Sequence, residues 1–157
     1  IQVLADKTGS LIAAAGRYGA MMAGVDVETT DLIAQFGEAI GIAFQLSDDL
    51  LDIESDTSGK TPGTDLREGI RTLPVLIALA DPDTPDRLKD LLSRPLPDDA
   101  EHTEALTALR QHPALDVARG VLNQWIEQAR QALAPLPDGD VKVALSMLCN
   151  NIVDRSV

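Results

Sequence analysis

The chain has 157 residues, 45% of them hydrophobic and only 3% aromatic, so Leu, Ala, Ile and Val must fill the core of one helical domain. Its net charge of −12 argues against nucleic acid or an anionic membrane surface as a partner, and no apolar run reaches the length of a membrane span. The start is polar, with Asp6-Lys7 interrupting it, which gives no signal peptide, and the single cysteine, Cys149, excludes an internal disulfide and fits a reducing cytoplasm.

In chain order, residues 2–24 read as a first helix rich in small residues, with Gly24 as its stop. Asp26 to Thr30 supply cap candidates for a long helix ending near Ile53. Residues 54–70 read as a loop. A helix starts near Thr72-Leu73-Pro74 and runs to about Ala80, and a short one follows the break at Asp81 to Pro85 and ends at Leu92. Segments 99–111 and 114–134 carry helical periodicity. The second puts Leu115, Ala118, Leu122, Trp125, Ile126, Ala129 and Leu133 on a core face. The last helix, 140–155, is read with Val141, Ala144, Leu145, Leu148 and Ile152 inward. Cys149 is read as a small core residue. His102 and His112 lie ten apart without supporting ligands, which argues against a zinc site.

The most informative stretch is Phe44-Gln45-Leu46-Ser47-Asp48-Asp49-Leu50-Leu51-Asp52. At about 100° per residue, Gln45, Asp48, Asp49 and Asp52 share one arc of roughly 100°, which Glu38 and Gly41 extend toward the N-terminus. A solvated face is the plain explanation of such a stripe. Against it, the helix dipole disfavours each acid near a C-terminus by about 0.3–1 kcal/mol. Carboxylates about 6 Å apart also repel by roughly 3 kcal/mol at an effective dielectric near 20. A cleft lined in this way makes sense around a hard cation such as Mg²⁺, which takes oxygen ligands and shares them with phosphates and water. Glycine at position 41 would let another group approach closely.

Three blocks in register carry a resemblance: Asp6-Lys7-Thr8-Gly9, then Phe44-Gln45 with Asp48-Asp49 and Asp52, then Gly59-Lys60, Gly63, Asp65-Leu66-Arg67-Glu68-Gly69 and Thr72-Leu73-Pro74. Together they resemble the trans-isoprenyl (polyprenyl) diphosphate synthases, in which Asp48, Asp49 and Asp52 correspond to the second aspartate-rich motif. The resemblance implies an all-α fold, a helical bundle of the isoprenoid synthase type, with residues 1–157 as its C-terminal half. It implies a prenyltransferase that joins an allylic diphosphate to isopentenyl diphosphate with Mg²⁺. Asp48, Asp49 and Asp52 would hold the metal. Lys7, Thr8 and Lys60 would be catalytic, and Lys7, Thr8, Gln45, Lys60 and Arg71 would bind the diphosphate. A cytoplasmic homodimer is implied too, with the small-residue face of the first helix at the dimer contact.

Two departures stand out. Ile70 occupies a position where many relatives carry lysine, so Arg71 would substitute for it, and Asn150-Asn151 replace a frequent Asp-Tyr pair. The resemblance places the first aspartate-rich motif upstream of Lys7-Thr8, so the 157 residues alone are expected to be inactive. A terpene cyclase fits less well, because cyclases usually lack the Lys-Thr and Gly-Lys blocks. A non-catalytic helical subunit or an inactive remnant stays open as the alternative.

Overall fold

A computed structural model of the chain describes residues 1–54 and 62–155, with side chains through Val153. Every regular element among the described residues is helical. The chain divides into two compact units, residues 1–47 with 122–157, and residues 48–121.

The first unit opens with α1 (Gln2–Leu4), a π-helical turn (Ala5–Gly9) and α2 (Ser10–Met22) in unbroken series. The expected first helix is therefore present, and the π turn carrying Lys7-Thr8 is new. Gly24, at φ +73°, ends it. The Val25 N–H reaches the Ala20 carbonyl at 3.4 Å and the Gly24 N–H reaches that of Met21 at 3.1 Å, a Schellman stop. The long helix α3 (Val27–Glu54) follows, and the Asp26 carboxylate accepts the Thr29 N–H at 2.7 Å to cap it.

Ala34, Phe36, Ala39, Ile40, Ile42, Ala43 and Leu46 bury α3 on nearly every side, which makes it the central helix of this unit. Its glycines set the contact with α2. A Cβ on Gly37 would come within 2.8 Å of the Ala13 Cα, and one on Gly41 within 2.8 Å of the Gly9 Cα. The small residues Gly9 of the π turn and Ala13 and Gly16 of α2 are thus used inside the chain. Arg17 ties the same pair of helices to Asp31 at 2.8 Å.

From the C-terminal part, Leu122, Ile126, Ala129 and Leu133 of α8 (Ala114–Leu133) and Cys149 and Ile152 of α9 (Asp140–Arg155) complete the core of this unit. Trp125 is only half-buried. The expected inner face of α9 needs correction. Val141 is 69% and Leu148 47% exposed, and Ala144 is exposed as well, whereas Cys149 is fully buried. Val, Ala, Leu, Met and Cys surround this helix almost completely, so periodicity admitted two faces, and the seam that packs runs through Leu145, Cys149 and Ile152.

The second unit holds the last turns of α3, then α4 (Thr64–Glu68), α5 (Leu73–Ala80), α6 (Asp86–Leu92), α7 (Asp99–Arg110) and the first turns of α8. The loop expected over 54–70 is corrected by α4. Gly63 and Gly69, at φ +71° and +74°, bracket its five residues. Pro74 sits in the first turn of α5, where its missing N–H costs nothing. Asp98 caps α7 by accepting the Ala100 and Glu101 N–H groups, both at 3.0 Å.

Leu91, Leu96 and Ala105 form the buried centre between α6 and α7. Over it, Arg87 makes a two-pronged contact with Glu104 at 3.0 and 2.8 Å, and Arg94 one with Glu101 at 2.9 and 2.8 Å. Both histidines have bonding partners. The His112 Nδ1 accepts the Ala114 N–H at 3.1 Å, so its Nε2 carries the proton toward the Thr84 Oγ1 at 2.8 Å. His102 bonds the backbone of Gly63.

Candidate functional site

In the first unit the π turn presents Lys7 to solvent and leaves Thr8 half-buried. The Thr8 hydroxyl donates to the Gln45 Oε1 at 3.2 Å, across 37 residues of sequence. This contact depends on the glycine packing described above. With Gly9 against Gly41, the backbones of the π turn and α3 touch directly beside Thr8 and one turn before Gln45, and a larger side chain at either glycine would separate them. Because Oε1 takes the hydroxyl proton, the Gln45 NH₂ group is turned the other way. π turns are rare and concentrate at functional sites. Thr8 and Gln45, which stand in separate blocks of the sequence, thus meet in the structure.

In the second unit Asp48, Asp49 and Asp52 occupy the last two turns of α3. Asp49 is 8% exposed, while Asp48 and Asp52 are half-buried. Asp52 does more than line a face. Its Oδ1 accepts the Thr64 N–H at 3.2 Å, its Oδ2 accepts the Asp65 N–H at 3.1 Å, and its carbonyl accepts the Gly63 N–H at 2.6 Å. The carboxylate therefore caps α4, and its negative charge lies at the favourable end of that helix.

The charge accumulated at the end of α3 is met by arginines that local sequence gave no means of finding. The Arg110 Nε donates to the Ile53 carbonyl at 2.6 Å, and Arg119 pairs with Glu54 and, at 2.6 Å, with Asp116. Cations at a helix C-terminus offset the dipole that the acids load.

Among the described residues no group of three or more His, Cys, Asp or Glu side chains is gathered into a ready-made metal cage. The donor set nevertheless suits Mg²⁺. All three groups are hard carboxylates, and each Asp52 oxygen accepts one backbone N–H and retains further lone-pair capacity. Mg²⁺ characteristically takes one or two carboxylates and completes its octahedron with water and substrate phosphate. The residues fit a partial shell of that kind.

Two further expected site residues are Arg71 and Lys60. The exposed Arg71 donates through Nη2 to the Ser93 carbonyl at 2.9 Å, at the end of α6. Lys60 lies outside the described residues.

Residues 1–109 match the polyprenyl synthetase family model, a stretch that includes Thr8, Gln45 and all three aspartates. The chain belongs to the polyprenyl synthetase family. It is 49% identical to nonaprenyl diphosphate synthase of Mycobacterium tuberculosis over 99% of its own length and 47% of that protein. It is 41% identical to a dimethylallyltranstransferase of the same organism, over 98% of this chain and 47% of the relative. Among solved structures, a geranylgeranyl pyrophosphate synthase of Corynebacterium glutamicum, complexed with calcium and isoprenyl diphosphate, superposes with a TM-score of 0.92 at 45% identity, covering 98% of this chain and 49% of the other. The all-α isoprenoid synthase fold implied by the motifs is therefore the fold observed. The chain spans about half the length of the relatives it matches.

Proposed function

We propose that the chain acts within a prenyl diphosphate synthase that condenses an allylic diphosphate with isopentenyl diphosphate in a Mg²⁺-dependent reaction of isoprenoid biosynthesis. The observation that carries this reading is the Thr8–Gln45 hydrogen bond on the same helix as the aspartates, within the family-matched stretch. Support also comes from the C. glutamicum relative, which binds a hard divalent ion together with an isoprenyl diphosphate.

In this reading the allylic C–O bond breaks, the carbocation is attacked by the double bond of isopentenyl diphosphate, and proton loss completes the step. The main requirement is to stabilise the charge that develops on the departing diphosphate. Bound Mg²⁺ supplies Lewis-acid neutralisation of that charge. Asp48 ligates the ion, and Asp49 and Asp52 hold it or its waters. Lys7 and Lys60 act as point charges on the diphosphate. Thr8 places its oxygen near the reacting carbon, with Gln45 fixing its hydroxyl. Arg71 spends one Nη2 donor on the Ser93 carbonyl and keeps its remaining guanidinium N–H groups for a phosphate.

The working protein is a cytoplasmic homodimer. No helix among the described residues is long and apolar enough to cross a membrane. The expected dimer face, the small residues from Ala13 to Ala20, is partly taken up against α3 at Ala13 and Gly16, so the contact is proposed instead on the outward side of α2, which bears Leu11, Tyr18 and Met22, all more than two-thirds exposed. The test is transfer of label from isopentenyl diphosphate into an acid-labile prenyl diphosphate, with and without chelator. Mg²⁺-dependent product supports the reading, and a folded protein that completes the fold yet forms none refutes it.

A further inference from the structure

We infer that His102 is a positioning residue for Asp52, acting through the backbone of Gly63. His102 lies on α7, distant in sequence from every motif singled out above, and is only 5% exposed. Its Nε2 is 2.8 Å from the Gly63 carbonyl. A carbonyl can only accept, so Nε2 carries the proton and donates.

Gly63 is held on three counts. Its φ of +71° favours glycine. A Cβ there would come within 2.8 Å of the His102 Nε2 and 3.2 Å of the Leu106 Cδ1. Its N–H, in turn, donates to the Asp52 carbonyl at 2.6 Å. The next two N–H groups in the chain, those of Thr64 and Asp65, are the donors that hold the Asp52 carboxylate. One buried imidazole thus fixes the peptide unit from which both carboxylate-orienting N–H groups follow. All of these residues belong to the second unit.

The imidazole does not touch the carboxylate, and its effect passes through one glycine. That a carboxylate held by two backbone donors keeps a single orientation is a general consequence of charge-assisted hydrogen bonding. That its orientation matters to a metal rests on the function proposed above, because ligands need second partners to hold them in place.

The experiment compares His102→Leu, which removes the donor, with His102→Gln, whose side-chain NH₂ can replace it. Hydrogen exchange of the Thr64 and Asp65 amides reads the linkage without reference to activity. His102→Leu is expected to accelerate both by roughly tenfold or more, with the Ala78 and Leu109 amides unchanged and His102→Gln near wild type. Uniform acceleration, or none, overturns the inference. If His102→Leu does not fold, the wild-type protein decides. A protected ring N–H of His102 correlated with the Gly63 Hα supports the inference, and a freely exchanging one overturns it.

Titration of Mg²⁺ with inorganic diphosphate separates the two layers. Weaker uptake by His102→Leu, restored in His102→Gln, supports the positioning role, and unchanged uptake despite loosened amides overturns it. Wild-type protein that takes up no Mg²⁺ with diphosphate refutes the synthase reading, leaving the His102–Asp52 linkage to stand on exchange.

Discussion

Gly41 packs so closely on Gly9 that a Cβ at position 41 would lie 2.8 Å from the Gly9 Cα and 3.2 Å from its nitrogen. Because the obstacle is backbone, it cannot rotate away. Gly41→Ala and Gly37→Ala are therefore expected to destabilise the protein by about 1–3 kcal/mol each. Gly19→Ala, in the same kind of helical setting but with nothing within 4 Å, should be neutral or gain up to about 1 kcal/mol from helix propensity. Urea unfolding of the three variants checks the contrast, and equal effects would show that the helix contact is looser than described.

The same packing predicts a functional signature. Thr8→Val keeps the shape and removes the hydroxyl that Gln45 accepts. Stability should change by less than about 1 kcal/mol, since one part-buried hydrogen bond is at stake. Turnover in an intact synthase should fall more than substrate affinity, and kcat and KM measured separately for Thr8→Val test this.

Asp48 and Asp52 are expected to differ in what their loss does. Asp52→Ala removes the acceptor of two backbone donors at the start of α4 and should cost about 1–2 kcal/mol of stability. Asp48→Ala should leave the fold intact and lower kcat by orders of magnitude in an intact synthase. Thermal unfolding beside turnover separates the two, and Asp48→Ala with full activity at saturating Mg²⁺ would contradict its metal role.

Acid should loosen the α6–α7 surface in a defined direction. Arg94 hydrogen-bonded to Glu101, and Arg87 to Glu104, hold both carboxyls below the usual glutamate range. A lowered folded value means stability present above the ordinary glutamate value of 4.5 and lost as pH falls through the lowered values. Arg94→Gln should raise the Glu101 titration midpoint, which NMR of the side-chain carboxyl reads directly. The pairs are exposed, so salt should weaken the effect.

How much of this was legible in the sequence depends on the range of the cause. Helix limits governed by nearby residues, such as the Gly24 stop, the Asp26 cap and the Pro74 start, fall where expected. So do the aspartate stripe and the close approach at Gly41, because a helix's faces follow from its period. Helix α4 was missed because what stabilises its first turn is Asp52, twelve residues earlier, and no local pattern marks such a cap. The inner face of α9 was misassigned because apolar residues on nearly all sides leave periodicity without a preference. His102, Arg110 and Arg119 act through folding that brings distant segments together, and their roles became visible only with the structure.

The most direct test of the central claim is a chimera in which these 157 residues replace the matched half of the M. tuberculosis nonaprenyl diphosphate synthase, to which they are 49% identical. With Mg²⁺, an allylic diphosphate and labelled isopentenyl diphosphate, the chimera is expected to form prenyl diphosphate, and its Asp48→Ala form to lose that activity by orders of magnitude. A folded chimera without product, or an Asp48→Ala chimera as active as its parent, would contradict the account.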